Sequence, residues 1–181
     1  MLIAKEKRKK NIAEYILYLW QVEDLIRALD FDPERIGKML VSRFDVDEDT
    51  HLEIYDWYKN LALMMEKEQI TKKGHLQFVV NIIEDLNRFH MQLLQSGTDP
   101  QYPMLFQLAK PVLNEFKGKS LEKDANDIQL GFQALYSIML LRLQNKEISN
   151  STQTAINHIS KMIGHLAARY LQYENGKFEI E

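Results

Sequence analysis

Apolar residues return every three to four positions along nearly the whole chain. From about Lys9 to about Asp30, the stripe Ile12, Tyr15, Ile16, Leu19, Val22, Ile26 and Leu29 predicts a first helix with one buried face. Asp32-Pro33-Glu34 then reads as cap, first-turn proline and first-turn acid, which predicts a short helix to about Phe44. Thr50-His51-Leu52-Glu53 has the capping-box pattern and opens a third helix to about Ile70. Lys73-Gly74 is a break. Leu76, Val79, Ile83, Leu86 and Leu93 build a fourth helix, ended by Ser96-Gly97. Asp99-Pro100 caps a fifth, which must kink or split at Pro111.

The sixth helix, from about Asp124 to about Ile148, is apolar nearly all round, as suits the middle of a bundle. The seventh, from about Ser151 to about Tyr173, lines Ala155, Ile159, Met162, Leu166 and Tyr170 along one face. Lys177-Phe178-Glu179-Ile180-Glu181 alternates like a strand but has no partner, so residues 175–181 read as an extended tail packed by Phe178 and Ile180. The expected fold is all-α: a single-domain antiparallel bundle of six or seven helices with short loops over residues 1–181.

Composition narrows the chemistry. With 181 residues, 45% hydrophobic and 27% charged, the chain can bury a core without staples. It contains no cysteine, which excludes disulfides, thiolate metal sites and thiol nucleophiles, and fits a reducing compartment. Residues 1–10 form a basic arm, setting Lys5, Lys7, Arg8, Lys9 and Lys10 against Glu6, ahead of an acidic body; the net charge is −3. The arm has no interleaved aromatics, so nucleic-acid binding has no footing. Glu14 and Glu23–Asp24 rule out a signal peptide, and the longest uncharged stretch, Ile128 to Leu141, is too short to cross a bilayer. A cytoplasmic location without membrane insertion follows by elimination.

The run from Asn11 to Arg27 (NIAEYILYLWQVEDLIR), with Gly74-His75-Leu76 and His90, resembles a family of bacterial helical proteins classed as a domain of unknown function. The resemblance covers the whole chain and is most specific in the first helix. It implies a helical fold and a bacterial cytoplasmic setting, and it implies no chemistry, cofactor or site residue.

Four groups of residues are candidates for function. Glu23 falls at the edge of the buried stripe with Arg27 one turn on and Trp20 nearby. With His75 and His90 these residues make a candidate pocket, in which Arg27 would hold a half-buried carboxylate able to act as base or ligand. The ordinary alternative is an (i, i+4) ion pair covering the core rim. Asp45, Asp47, Asp49, Glu53 and Asp56 match oxygen positions of a twelve-residue calcium loop, but Thr50 stands where the loop requires glycine. The ordinary alternative there is an acidic helix start. His158, His165 and Arg169 share one face of the last helix and could receive an anion. The basic arm is the fourth.

Glu-x-x-His and His-x-x-x-His pairs, a phosphate loop, a dinucleotide fingerprint and a serine elbow are all missing. No cofactor is expected. The leading expectation is a non-enzymatic helical interaction or scaffold protein, a homodimer, because Leu17, Tyr18 and Leu25 give the first helix a second apolar surface. The alternative is a small-molecule or metal-binding bundle, an enzyme in principle, that uses an inter-helix pocket with Glu23, Arg27 and histidines.

Overall fold

The structure, a computed structural model, describes residues 2–119 and 124–180. Among the described residues it holds eight α-helices, one 3₁₀ turn and no strand, so the fold is all-α. The helices are α1 (Leu2–Lys10), α2 (Ile12–Ala28), α3 (Pro33–Met39), α4 (Glu48–Lys67), α5 (Gln77–Ser96), α6 (Gln101–Lys119), α7 (Asp127–Leu143) and α8 (Asn150–Glu174), with the 3₁₀ turn at Val41–Arg43.

The helix count exceeds six or seven because the first stripe is two helices. Asn11 interrupts it, and its side-chain Oδ1 accepts from the Ala13 N–H at 3.0 Å to start α2. The basic arm is therefore a helix, apart from Met1, which lies outside the described residues. Lys7, Arg8, Lys9 and Lys10 fall in the last turn of α1, where cations favour the helix dipole instead of opposing it. Lys7 also reaches Glu14 at 2.9 Å.

Other helix ends follow side-chain chemistry. Asp32 accepts from the Glu34 and Arg35 N–H groups to cap α3, with Pro33 in its first turn. Helix α6 runs through Pro111 without splitting, contrary to expectation. Pro111 is exposed, so water can take the carbonyl that the missing N–H leaves free. Residues 177–180 form no regular element; Phe178 and Ile180 are half-buried between exposed neighbours, and Glu181 lies outside the described residues.

The chain clusters into two compact units, residues 1–10 with 14–81 and residues 11–13 with 82–181. In the first unit, α3, α4 and the 3₁₀ turn pack together, and Ile16, Leu19, Trp20, Ile26, Ile36, Ile54 and Met65 are buried. In the second unit α6, α7 and α8 pack on one another. Helix α8 runs back along α7: Arg142 meets Gln153, while a Cβ on Gly131 would lie 3.0 Å from Ile163. That approach is possible because residue 131 has no side chain. Tyr102, Leu113, Phe132, Ile159, Met162 and Leu166 form the core there.

Candidate functional site

In the first unit, Glu23 is wholly buried on α2 with the α4–α5 loop folded over it. Its Oε1 accepts the Leu76 N–H at 3.0 Å, and its Oε2 lies 2.6 Å from His75 Nδ1. The His75 ring stacks on Trp20, with centroids 4.1 Å apart and planes 12° apart. With both carboxylate oxygens accepting, Nδ1 carries the proton and Nε2 keeps its lone pair. His75 is 31% exposed, and its Nε2 is neither buried nor held by another protein group. The arrangement fixes both the tautomer and the plane of a histidine that solvent can reach. It also ties the loop to α2, which is its ordinary structural role.

Arg27 does not hold Glu23. It donates to Asp24 at 2.9 Å and to the Ile70 carbonyl at 3.2 and 3.3 Å, and it also donates to the Gly74 carbonyl. Both Glu23 oxygens are already occupied, and a guanidinium fork suits the carbonyls of a turning loop better. Gly74 allows that turn, with φ of +95°. Four of the five expected pocket residues, Trp20, Glu23, Arg27 and His75, are therefore brought to one loop.

His90 belongs to the second unit and to a different cluster. Its Nδ1 shares a 2.6 Å hydrogen bond with the Tyr102 hydroxyl, and Phe106 stands edge-on to its ring. Burial pushes the His90 imidazole from 6.5 down to about 4 and pushes the Tyr102 hydroxyl up, so the pair is neutral near pH 7.

Asp99, also buried, accepts the Gln101 and Tyr102 N–H groups at 3.1 and 3.2 Å and so caps α6. Its other oxygen accepts from His165 Nε2 and Arg169 Nε, each at 2.6 Å. Burial alone would raise this carboxyl, but the hydrogen bonds from His165 and Arg169 outweigh it and hold the carboxyl below its ordinary value. The anion that His165 and Arg169 receive is thus the chain's own Asp99. His158, half-buried two turns earlier, is not among the partners of Asp99.

The acidic run does not close into a calcium loop. Asp47 caps α4 by accepting the Thr50 N–H at 2.9 Å and the Thr50 hydroxyl at 2.8 Å, so the helix begins at Glu48. Thr50 is not the cap, as the sequence pattern suggested. Asp49, Glu53 and Asp56 are then spread along an exposed helix face, with Asp45 and Asp47 outside it. Among the described residues, no three His, Asp or Glu side chains gather as a metal ion would require.

A groove of about 360 Å³ opens in the second unit between α6, α7 and α8. Val112, Phe116, Ile138, Leu141, Ala155 and Ile156 supply its apolar walls. Its polar rim is internally paired. Ser137 donates to the Gln133 carbonyl, Ser151 and Thr152 bond Ser149, and Lys119 bonds Glu115.

Sequence reasoning missed this groove, Asp99 and Tyr102. Asp99 was legible only as a cap, since nothing local connects it to residues 66 and 70 positions away. The half-exposed walls of the groove belong to three helices, each of which reads as ordinary core.

No helix among the described residues is long and apolar enough to cross a membrane. A family model matches residues 1–177, and its description is Domain of unknown function (DUF4924), in agreement with the resemblance carried by the first helix. No curated protein and no solved structure matches the chain.

Proposed function

The chain belongs to this family of unknown function, which lends it no chemistry, and we propose from the geometry that it is a non-enzymatic helical interaction protein that pairs with a second copy of itself. The observation that carries this reading is the open apolar groove of the second unit. Because its hydroxyls and its lysine are already paired, it offers aliphatic surface and no unsatisfied polar group to orient a small molecule. Such a surface suits apolar side chains from another helix.

Helix α6 carries side chains that fit this role. Met104 and Leu108, one turn apart, are 66% and 55% exposed, and the helix bears no charge from Gln101 to Ala109. Loss of charge around an exposed apolar centre is the compositional mark of an interface. Val112 and Phe116 of the groove follow on the same helix, with Phe116 about 12 Å beyond Leu108 at the helical rise. Ridge and groove on one helix make a self-complementary patch. A two-fold axis between them seats the ridge of each copy in the groove of the other. With no cysteine in the chain, we place this assembly in the bacterial cytoplasm.

Light scattering coupled to size exclusion tests the proposal. The full chain should run as a dimer at micromolar concentration, and Leu108→Lys with Met104→Lys should convert it to a monomer of unchanged helicity. A wild-type monomer under those conditions, or a dimer indifferent to both substitutions, would sink it.

A further inference from the structure

We propose that His75 is a phosphoryl-accepting histidine, with Nε2 as the nucleophile toward a donor whose phosphoryl group is bound through nitrogen. The inference is independent of the groove and of self-association. It rests on three features around one ring.

The first is the clamp. A wholly buried carboxylate holds Nδ1 at 2.6 Å, which leaves the lone pair on Nε2, the atom solvent reaches. The second is rigidity. Trp20 lies flat against the ring, and the loop that carries His75 is pinned by Arg27 on the Ile70 and Gly74 carbonyls and by Glu68 on the Gln77 N–H at 2.7 Å. The third is charge. Lys72 and Lys73 are exposed on the same loop, within three residues of the nucleophile. Phosphoryl transfer needs little covalent help from a protein; positioning and cations around the phosphoryl oxygens do most of the work.

The step balances on these residues and the donor. The Nε2 lone pair attacks phosphorus, and an Nε2–P bond forms as the P–N bond of the donor breaks. The departing nitrogen keeps the bonding pair and, in phosphoramidate, leaves as ammonia. The ring gains positive charge, which Glu23 stabilises through the Nδ1 proton without taking it, as a carboxylate does for an imidazolium elsewhere. Glu23 is a positioning residue. It reaches the phosphoryl group only through the ring.

The experiment treats the full-length folded chain with potassium phosphoramidate and follows intact mass and peptide mapping. We expect one phosphoryl group per chain on His75, acid-labile and alkali-stable, installed about tenfold faster than on His158. That preference should vanish when the chain is unfolded in urea. Glu23→Gln, judged native by circular dichroism, should slow labelling of His75 in the folded state and leave the unfolded rate unchanged. A role confined to bracing the loop would not produce that difference. Lys72→Ala with Lys73→Ala alters only exposed side chains and should also slow labelling, which keeps the test open if Glu23→Gln fails to fold. Equal labelling of His75 and His158 in the folded chain, or the same His75 rate folded and unfolded, overturns the proposal.

Discussion

The Asp99 carboxylate accepts a hydrogen bond from the Arg169 guanidinium at 2.6 Å across 70 residues of sequence. The same oxygen takes His165, and the other oxygen caps α6, so one buried group fixes the start of α6 to the last turns of α8. Replacing it should be costly, because the donors remain while their acceptor disappears. Asp99→Ala should lower stability by about 2–4 kcal/mol in urea unfolding. Asp99→Asn keeps the cap and should cost less. Equal effects from the two would mean that the cap, not the charge, is what matters.

His90 gives the stability a pH dependence with a definite sign. Its folded value of about 4 lies below its ordinary 6.5, so the unfolded chain binds the proton more readily. The stabilisation is complete above pH 6.5 and is lost as pH falls from there toward 4, amounting to the order of 3 kcal/mol. Asp99, held below its usual range, loses its contribution only at lower pH. Melting temperature followed from pH 7 to pH 4.5 should fall in wild type and fall less steeply in His90→Gln. Parallel slopes in the two proteins would place the titration elsewhere.

The helices were legible because each keeps a buried stripe over several turns, and the caps Asp32 and Asp99 and the break at Gly74 mark their ends with local chemistry. Asn11 was not legible as a break. The apolar pattern resumes in phase on both sides of it, and only its side-chain bond to Ala13 reveals a new start. Glu23 was correctly placed at the buried edge, since helical angle alone sets that. Its partner was not, because Arg27 is nearer in sequence while His75 arrives from 52 residues away. His165 and Arg169 looked open to an external anion for the same reason: their acceptor lies on a distant loop. Periodicity reports which face of an element is hidden, and it carries no information on which distant group meets it.

Calcium should leave the chain unchanged. Asp47 is committed to Thr50, its carboxyl is held below the ordinary value by the Thr50 backbone and hydroxyl hydrogen bonds, and the helix has begun where the loop would need to turn. Millimolar calcium should therefore give no rise in melting temperature, whereas Asp47→Ala should lower helicity near the start of α4 with or without the ion. A calcium-dependent rise abolished by Asp45→Asn would restore the loop reading.

Gly131 tests how tightly α7 meets α8. It is buried in mid-helix, where alanine would ordinarily gain about 1 kcal/mol of helix propensity. An added Cβ would stand 3.0 Å from Ile163 Cδ1 and 3.3 Å from its Cγ1, so that side chain must shift. Cδ1 is the free end of a flexible chain, and the two effects should nearly cancel in Gly131→Ala. Gly131→Val has no such relief, because its extra methyls meet Ile159 as well as Ile163. It should destabilise by about 1–3 kcal/mol through overpacking. A Gly131→Val variant as stable as wild type in denaturant would show that the two helices can part at little cost. Recovery of most of the loss by Ile163→Val in the same chain would locate the clash where the geometry puts it.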